Sequence, residues 1–379
     1  MALIKDEEAE RLIEGLDLRA PREKSVAVCS AANMLASADV ISPVNLPSND
    51  IAAQDGYAVR IMEGAKSYTI TDSAGELNAG EAVYTGTGWP IPKGANSVVR
   101  IESARVDGKL LIPANEPKLW GDIERAGEDL TKGTAVLRRG NIITPYHVSL
   151  LSALGVMDVK VFDICVGILS VGDEIIPCDS TGEGIRDSLT PLIKGLMPFV
   201  RFMEAHAPDT KSEISSVIKE FSRKCDMVIT TGGSSVGKKD LTKDAINDAG
   251  EMVFEGVQTN IIKRGGVGLV NGVPVLSLPG RVVSAVTVFH AHGLHIISRL
   301  IGSELRKYGE VGLAEDMRVK HSMNSTFLFR IEGESAVPLK WGSGLYGQMV
   351  NADAFARLER NREYRKGEKI RVQFLINHK

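Results

Sequence analysis

A run of glycine and serine residues directly after an apolar strand is the strongest chemical signal in the sequence. The segment DMVITTGGSSVGKKD spans residues 226–240, and a helix is predicted to begin just beyond Asp240. Glycines let a backbone approach an anion closely, and the amide groups of such a loop, with a helix N-terminus, suit a phosphate. Ser234 and Ser235 add hydroxyl donors, and Asp240 could hold Mg²⁺ against that phosphate. A tight turn without a ligand is the alternative.

A second apolar strand ends in a glycine followed by two acids. The segment SVGDEIIP contains Gly172, Asp173 and Glu174. In a parallel sheet these carboxylates lie at the same edge as the glycine-serine loop, where metal binding or acid–base chemistry is expected. A solvated acidic loop, or acids that cap a helix, are the alternatives.

A third strand leads through Pro279-Gly280 into a helix, in the segment LSLPGRVVSAVTVF. Alone this is only a turn signal. Three strands that deliver loops to one side, however, favour a polyanionic ligand in the cleft between them. The glycine-serine loop matches neither the Walker A loop nor GxGxxG, so nucleoside triphosphates and NAD are disfavoured.

These loops require a sheet to hold them, and the sequence supplies alternating strands and helices from about residue 163 to 302. Buried apolar runs separated by helical segments predict a parallel, doubly wound α/β domain. We expect helices over residues 4–16, 25–36, 142–154, Leu189–Met203, from the Thr210–Glu213 capping box towards Cys225, over 241–250, and from Val282 to about Leu300.

Short β-type runs flank this region on both sides. They alternate with Gly, Pro, Asn and Asp between residues 41 and 130 and return in the last part of the chain. We therefore predict an α/β multidomain protein with two small β-rich domains and an α-helical linker domain. The predicted boundaries are 1–40 plus 131–160 for the helical linker and dimerisation domain, 41–130 for the first β-rich domain, 161–306 for the α/β domain, and 307–379 for the C-terminal β domain.

Composition excludes several classes of protein. A chain of 379 residues exceeds the size of one compact core, which stops growing near ~250–300 residues. The net charge of −3 argues against a nucleic-acid binder that relies on a broad basic field. No apolar run is long enough to span a membrane, and the first residues resemble an acidic amphipathic helix, so a cytoplasmic location is expected.

The cysteines and histidines carry weaker signals. The four cysteines lie far apart without a CxxC pair, and we interpret them as reduced, mostly buried thiols. The histidines His290, His292 and His295 suggest a metal site, but helix-surface or packing histidines are the favoured interpretation. The basic run Arg357–Lys369 is interpreted as a solvated hairpin. Asp55 lies in an Asp-Gly pair that is normally a turn.

Six segments in this order resemble the molybdopterin molybdotransferase family, which includes MoeA and the E domain of gephyrin. The resemblance covers nearly the whole chain. It is carried by SPVNLPSNDIAAQDGYAVR, YTGTGWPIPKGANSVV, RAGEDLTKGTAVLRRGNIITPYHVSLLSALGV, SVGDEI, TTGGSSVGKKD and LPGRVVSA. It implies an enzyme that inserts molybdate or tungstate into adenylylated molybdopterin, with Mg²⁺ as cofactor and release of AMP.

The resemblance also implies roles for individual residues, a MogA-like α/β domain and a homodimer with the active site between subunits. A molybdopterin adenylyltransferase is a candidate partner; no nucleic acid or membrane is expected. The implied catalytic residues are Asp55, Asp129, Glu174, Asp240 and Lys263, and Glu174 and Asp240 would hold the metal. The implied substrate-binding residues are Thr85, Gly86, Gly172, Asp173, Gly232, Gly233, Ser234, Ser235, Gly237, Pro279, Gly280, Arg281 and Ser343. Asp209 matches another family acid.

The chain departs from the family pattern where cations are expected. Thr259 and Gly266 stand where the family has lysines, while Arg264 and Arg281 are gained. An anion site rebuilt with arginines is one interpretation, because the guanidinium fork suits oxyanions differently from a lysine. A non-catalytic member that binds molybdopterin or acts as a scaffold is the alternative.

Overall fold

The computed structural model describes residues 3–72, 75–233 and 241–376. It contains two compact units. One comprises residues 1–38, 139–145 and 158–379, and the other comprises 39–138 and 146–157. Within the described ranges, no helix is long and apolar enough to cross a membrane.

The N-terminal elements confirm one helix prediction and correct another. Helix α1 (Asp6–Glu14) forms as predicted, with three acids in its first turn that complement the helix dipole. The helix predicted over 25–36 is wrong. Residues Glu23–Ala27 form strand β1, which pairs antiparallel with β12 (Asp158–Phe162), and a 3₁₀ turn follows at Val28–Ser30. Pairing with a distant segment outweighs the local helical pattern here.

The second unit is built from short strands, as predicted for this stretch. Six of its strands form one sheet, in the order β7-β4-β6-β5-β9-β8. The expected helix with Pro145 in its first turn is present as α2, and Gly155 follows it with φ of 74°. The elements are β2 (Val40–Ile41), β3 (Ile51–Ala52), β4 (Gly56–Val59), β5 (Tyr68–Ile70), β6 (Glu81–Thr85), β7 (Ser97–Arg100), β8 (Ala104–Asp107), β9 (Leu110–Pro113), β10 (Ile123–Glu124), β11 (Ala135–Leu137) and α2 (Pro145–Ala153).

Strands and helices alternate in the next part of the first unit. The elements are β12, β13 (Cys165–Val171), β14 (Ile175–Ile176), β15 (Ile185–Arg186), α3 (Leu189–Leu196), β16 (Arg201–Ala207), α4 (Lys211–Lys224), β17 (Met227–Gly232), α5 (Leu241–Ala249), β18 (Glu251–Phe254), β19 (Thr259–Asn260), β20 (Gly266–Val270), β21 (Val273–Leu278), α6 (Val282–Val288), a π-helical turn (Phe289–Gly293) and α7 (Leu294–Ile301). The main sheet has the order β16-β13-β17-β21-β20-β18.

This sheet is doubly wound, as the sequence predicts. Its first four strands run parallel. Strand β20 pairs antiparallel with β21, and β18 pairs antiparallel with β20. All residues of β13 are buried, and its consecutive residues Ile168 and Leu169 belong to separate apolar clusters on the two faces of the sheet. Both faces are therefore covered, which explains why the strands read as continuous apolar runs.

Two local predictions in this region need correction. The helix predicted over Leu189–Met203 ends at Leu196, because residues 201–207 form β16 along the open edge of β13. Helix α4 begins after Thr210, but the Thr210 side chain makes no capping bond; its carbonyl oxygen accepts from the Glu213 amide at 3.1 Å.

The C-terminal strands close into a small barrel. The ring runs β24-β25-β22-β28-β26 and returns to β24 through an additional pairing, and β19 adds to it as an edge strand. A buried cluster that includes Phe329, Ala336 and Val372 fills it. The elements are β22 (Lys307–Leu313), β23 (Met317–Arg318), β24 (Asn324–Glu332), β25 (Ser335–Pro338), α8 (Tyr346–Val350), β26 (Ala354–Leu358), β27 (Glu363–Tyr364) and β28 (Lys369–Phe374).

The three histidines lie in the interior, which agrees with packing and contradicts a helix-surface location. His290 donates from Nδ1 to the Val286 carbonyl at 2.8 Å and accepts at Nε2 from the Ile376 amide at 3.0 Å. Among the described residues, no group of three or more His, Cys, Asp or Glu is arranged to hold a metal. Of the cysteines, Cys165 and Cys225 are buried, whereas Cys29 and Cys178 are exposed; "mostly buried" holds for half of them.

Burial of His290 predicts acid sensitivity. Burial lowers the pKa of His290 to about 4, well under its ordinary value of about 6.5, so the unfolded chain takes up a proton that the folded chain excludes. Stability is therefore fully present above about pH 6.5 and decreases as the pH falls towards 4. Urea unfolding at several pH values measures this slope. Burial also lowers the pKa of His292, so His290→Leu should make the slope shallower without abolishing it, and an unchanged slope in that variant would contradict the assignment.

Candidate functional site

Three parallel strands deliver their carboxyl ends to one edge of the sheet. Val171, the last residue of β13, lies opposite Gly232 of β17, and Thr231 lies opposite Leu278 of β21. The turns that follow are close together: a Cβ on Gly280 would lie 3.8 Å from the Cα of Gly232. The convergence inferred from the sequence is present.

The first two glycines of the glycine-serine loop are required by the backbone. Gly232 and Gly233 have φ of 86° and 70°. A Cβ on Gly232 would lie 2.3 Å from the Val171 carbonyl oxygen, and one on Gly233 would lie 2.0 Å from Oγ1 of Thr242. Only glycine fits this turn. The remaining predicted members of the loop, Ser234, Ser235, Gly237 and Asp240, lie outside the described residues.

The acidic loop after β13 is tied to the neighbouring strand. Gly172 has φ of 141°, and a Cβ there would lie 2.9 Å from Oε2 of Glu174, so this carboxylate folds back over the glycine. Nε2 of His206 lies 2.9 Å from the Gly172 carbonyl oxygen. Oδ1 of Asp173 accepts from the Asp209 amide at 3.2 Å. The structure thus places Asp173 and Glu174 after β13 and Asp209 after the neighbouring β16, at one edge of the sheet.

Lys263, Arg264 and Arg281 line a cavity of about 420 Å³ beside the Pro279-Gly280 turn. The guanidinium of Arg281 donates to Oγ of Ser343 at 3.1 Å, and the Val283 amide donates to the Ser343 carbonyl oxygen at 2.9 Å. These bonds fix the C-terminal segment against the start of α6. The lining residues are Asn260, Ile261, Lys263, Arg264, Pro279, Gly280, Arg281, Ser284, Trp341 and Ser343. All five of the predicted residues Lys263, Pro279, Gly280, Arg281 and Ser343 line this one cavity.

The two positions that lack the expected lysines are enclosed by packing. Thr259 is buried and donates from Oγ1 to Oδ2 of Asp6 at 2.5 Å, and Asp6 in turn pairs with Arg357 at 3.0 Å. A Cβ on Gly266 would lie 2.5 Å from Cε of Met252. Neither residue lines the cavity, whereas Arg264 and Arg281 do.

A larger cavity of about 710 Å³ lies between α3, β16 and the loop after Glu174. Lys194 lines it and donates to Glu204 at 2.5 Å. Among the described residues that line this cavity, no other lysine or arginine is present, whereas three line the smaller cavity, which therefore fits a phosphate-bearing ligand better.

The second unit holds the other predicted residues. Oδ1 of Asp55 accepts from the Thr87 amide at 2.7 Å and from the Thr87 hydroxyl at 2.8 Å. These bonds, the backbone one first, lower the pKa of Asp55 below its ordinary value, so the carboxylate is ionised at neutral pH. Thr85 is buried nearby, its hydroxyl has no hydrogen-bond partner among the described residues, and Gly86 lies beneath Trp89. Asp129 sits on a separate exposed turn of this unit, with its amide donating to the Leu46 carbonyl oxygen.

Sequence reasoning missed the aromatic wall of the cation cavity. Trp341 lines it, and the ring of His321 stacks on Trp341 with centroids 4.3 Å apart. Trp341 stands two residues before Ser343, in the same WGSG segment, so proximity to an implied binding residue was the signal available.

Comparison with known proteins shows similarity along nearly the whole chain. Three family models match it: the MoeA N-terminal region (domain I and II) over residues 4–155, a model described as "Probable molybdopterin binding domain" over 167–299, and the MoeA C-terminal region (domain IV) over 310–375. A Methanocaldococcus jannaschii protein named for molybdopterin biosynthesis is 30% identical over 97% of this chain and 95% of its own length.

The chain belongs to the MoeA family.

Two further relatives agree with this assignment. The molybdopterin molybdenumtransferase of Haemophilus influenzae is 30% identical over 88% of both chains. The crystal structure of the molybdopterin biosynthesis protein MoeA from Pyrococcus horikoshii superimposes with a TM-score of 0.79 at 25% identity, covering 98% of this chain and 99% of that one. The resemblance stated from the sequence and the multidomain α/β fold class are both confirmed.

The close backbone approach at Gly232 gives a stability prediction. Gly232→Ala should lower the free energy of unfolding by roughly 1–3 kcal/mol, because it combines a positive φ with a contact against backbone. Gly195→Ala is the matched control, since Gly195 lies in helix α3 and, apart from its own helix, no atom of the described residues lies within 4 Å of an added Cβ. The control should leave stability unchanged or raise it. Urea denaturation of both variants is the measurement. Equal denaturation midpoints for the two variants would contradict the requirement for glycine at position 232.

Proposed function

We propose that this chain is a molybdopterin molybdotransferase that inserts molybdate, or tungstate, into adenylylated molybdopterin and releases AMP. The observation that carries the proposal is the cavity lined by Lys263, Arg264, Arg281 and Ser343 beside the glycine turns of the sheet. Relatives that cover most of this chain are named molybdopterin molybdenumtransferases, which supports a transferase of molybdenum cofactor synthesis.

The cavity suits a tetrahedral oxyanion or a phosphate. Its cations lie on two separate segments, with Lys263 and Arg264 on one and Arg281 on the other. Ser343 holds the Arg281 guanidinium in place, so less side-chain freedom is lost when an anion binds. Molybdate, tungstate and the phosphates of a pterin nucleotide share this charge and geometry, which is why the metal oxyanion is treated as substrate.

The acidic loop is proposed to hold Mg²⁺. Glu174 offers carboxylate oxygens at the strand end, which are the hard ligands that Mg²⁺ prefers, and Asp240 is proposed as the second ligand. When bound, Mg²⁺ would neutralise negative charge on the phosphoanhydride. The contacts of Asp173 with the Asp209 amide and of His206 with Gly172 keep the loop in position for that role.

Asp55 is proposed to act as an ionised acceptor. Its carboxylate is held by Thr87 through Oδ1, so it can orient water for attack on the phosphoanhydride phosphorus but is a poor proton donor. Asp129, Thr85 and Gly86 are proposed to contact the substrate, as the family implies. In the proposed homodimer, Asp55 approaches the α/β domain from the other subunit. A cytoplasmic location and an adenylyltransferase partner complete the proposal.

The alternative of a non-catalytic binder rests on the missing lysines. The packing around Thr259 and Gly266 weakens that alternative, because both positions lie away from the cavity while two arginines line it. The cations that line the cavity, Lys263, Arg264 and Arg281, support the enzyme over the non-catalytic binder.

Removal of Arg281 tests the site. The wild-type chain should release AMP from adenylyl-molybdopterin when Mg²⁺ and molybdate are supplied, with tungstate run in parallel. Arg281→Ala should lower kcat/KM for AMP release by at least about ten-fold, because a preorganised anion contact is lost. Arg105→Ala, on the exposed β8–β9 hairpin, is the matched control and should retain full activity. Full activity in Arg281→Ala would exclude this cavity.

Replacement of Glu174 tests the metal. Glu174→Gln keeps the size of the side chain and removes its charge, so the Mg²⁺ concentration for half-maximal AMP release should rise by about ten-fold or more. Asp240→Asn should abolish release while leaving the circular dichroism spectrum unchanged. A Mg²⁺ response in Glu174→Gln identical to that of the wild type would remove Glu174 from the metal site.

A further inference from the structure

Trp341 presents an aromatic ring to the cation cavity from the barrel side. It is 38% exposed, although tryptophan usually buries more of its surface. The imidazole of His321 stacks on it at 4.3 Å with an interplanar angle of 30°. The same cavity carries Lys263, Arg264 and Arg281. A flat apolar surface and a set of cations therefore share one pocket.

The segment that carries Trp341 is fixed in place. Two residues further on, Ser343 accepts from the Arg281 guanidinium through its side chain and from the Val283 amide through its carbonyl. His321 lies on the segment before β24 and supports the ring by stacking. The aromatic surface is thus preorganised, which lowers the entropy lost when a ligand stacks on it.

We infer that Trp341, supported by His321, is the surface on which the fused nitrogen heterocycle of the substrate stacks while its phosphate meets the cations. This inference rests on the proposed function and adds how that substrate is recognised. The ligand class is a bicyclic heterocycle joined to a phosphate through a short linker, a description that both the adenylyl and the pterin part of the substrate satisfy. The cavity of about 420 Å³ falls within the ~300–1,000 Å³ typical of small-molecule sites.

Neither feature alone would specify such a ligand. The cations attract any oxyanion, whereas stacking selects for a π-system without regard to its hydrogen-bonding pattern. Trp341 is therefore a specificity-determining residue: it separates phosphates that carry a heterocycle from those that do not.

The test compares phosphates with and without a ring. Calorimetric titration of the full chain uses AMP, ribose 5-phosphate and phosphorylated 6-hydroxymethylpterin as probes. Trp341→Leu, which keeps apolar bulk, should weaken binding of a ring-bearing probe by about ten-fold and leave ribose 5-phosphate unchanged. Trp341→Phe should retain most of the affinity, and His321→Ala should give an intermediate loss. Tyr146→Ala, at a fully exposed tyrosine of α2, is the control and should change nothing.

The two ring-bearing probes identify the heterocycle. If the affinity for AMP depends on Trp341, the ring that stacks is the adenine. If the affinity for the pterin phosphate depends on it, the ring is the pterin, and either result supports the stacking role. Equal affinities of the wild type for ring-bearing probes and ribose 5-phosphate overturn it, as does an equal loss for all probes in Trp341→Leu.

The inference and the proposed function fail in different ways. Absence of AMP release, with ring-selective binding that still depends on Trp341, refutes the transferase and keeps the stacking surface. AMP release that depends on Arg281 but binding that ignores Trp341 refutes the stacking surface and keeps the transferase.

Discussion

The parallel pairing of β13, β17 and β21 is the constraint on which the candidate site depends. Because these strands are in register at their carboxyl ends, the turns after Val171, Gly232 and Leu278 leave the sheet side by side. The backbones then approach so closely that a Cβ on Gly232 would lie 2.3 Å from a carbonyl oxygen. The same close approach that requires glycine at these turns brings their backbones together at one edge of the sheet, the edge at which open α/β sheets bind ligands.

The parts of the site that could be predicted are those that follow directly from a buried strand. Gly172, Gly232 and Pro279-Gly280 each stand at the end of an apolar run, and chain order alone places them at one edge. Trp341 could not be found this way, because it reaches the cavity only when the barrel packs beside α6 through Ser343. Its neighbours in the cavity lie far from it along the chain.

The helix predictions were likewise correct where local sequence decides the structure and wrong where a distant strand does. Helices α1 and α2 were predictable from their own spacing and end signals. The helices predicted over residues 25–36 and Leu189–Met203 overlap the strands Glu23–Ala27 and Arg201–Ala207 in part. Each of these segments becomes a strand by pairing with a partner that local spacing does not reveal, β12 and β13 respectively. A pairing partner decides such segments more strongly than their intrinsic preference.

Thr259, which the family resemblance compares with a lysine, has a structural role in this chain. Thr259 donates to Asp6, and Asp6 pairs with Arg357, so a single carboxylate joins α1, β19 and β26. Both side chains of that ion pair are largely shielded from water, and removal of either would leave a charge without its partner at substantial cost. A lysine at 259 would place a second cation beside Asp6 and compete with Arg357 for it. The cavity instead draws its charge from Lys263, Arg264 and Arg281, on segments that this ion pair does not use. The contacts that anchor the N-terminal helix and the cations proposed to bind the anion therefore belong to separate residues, so a substitution in one set leaves the other in place.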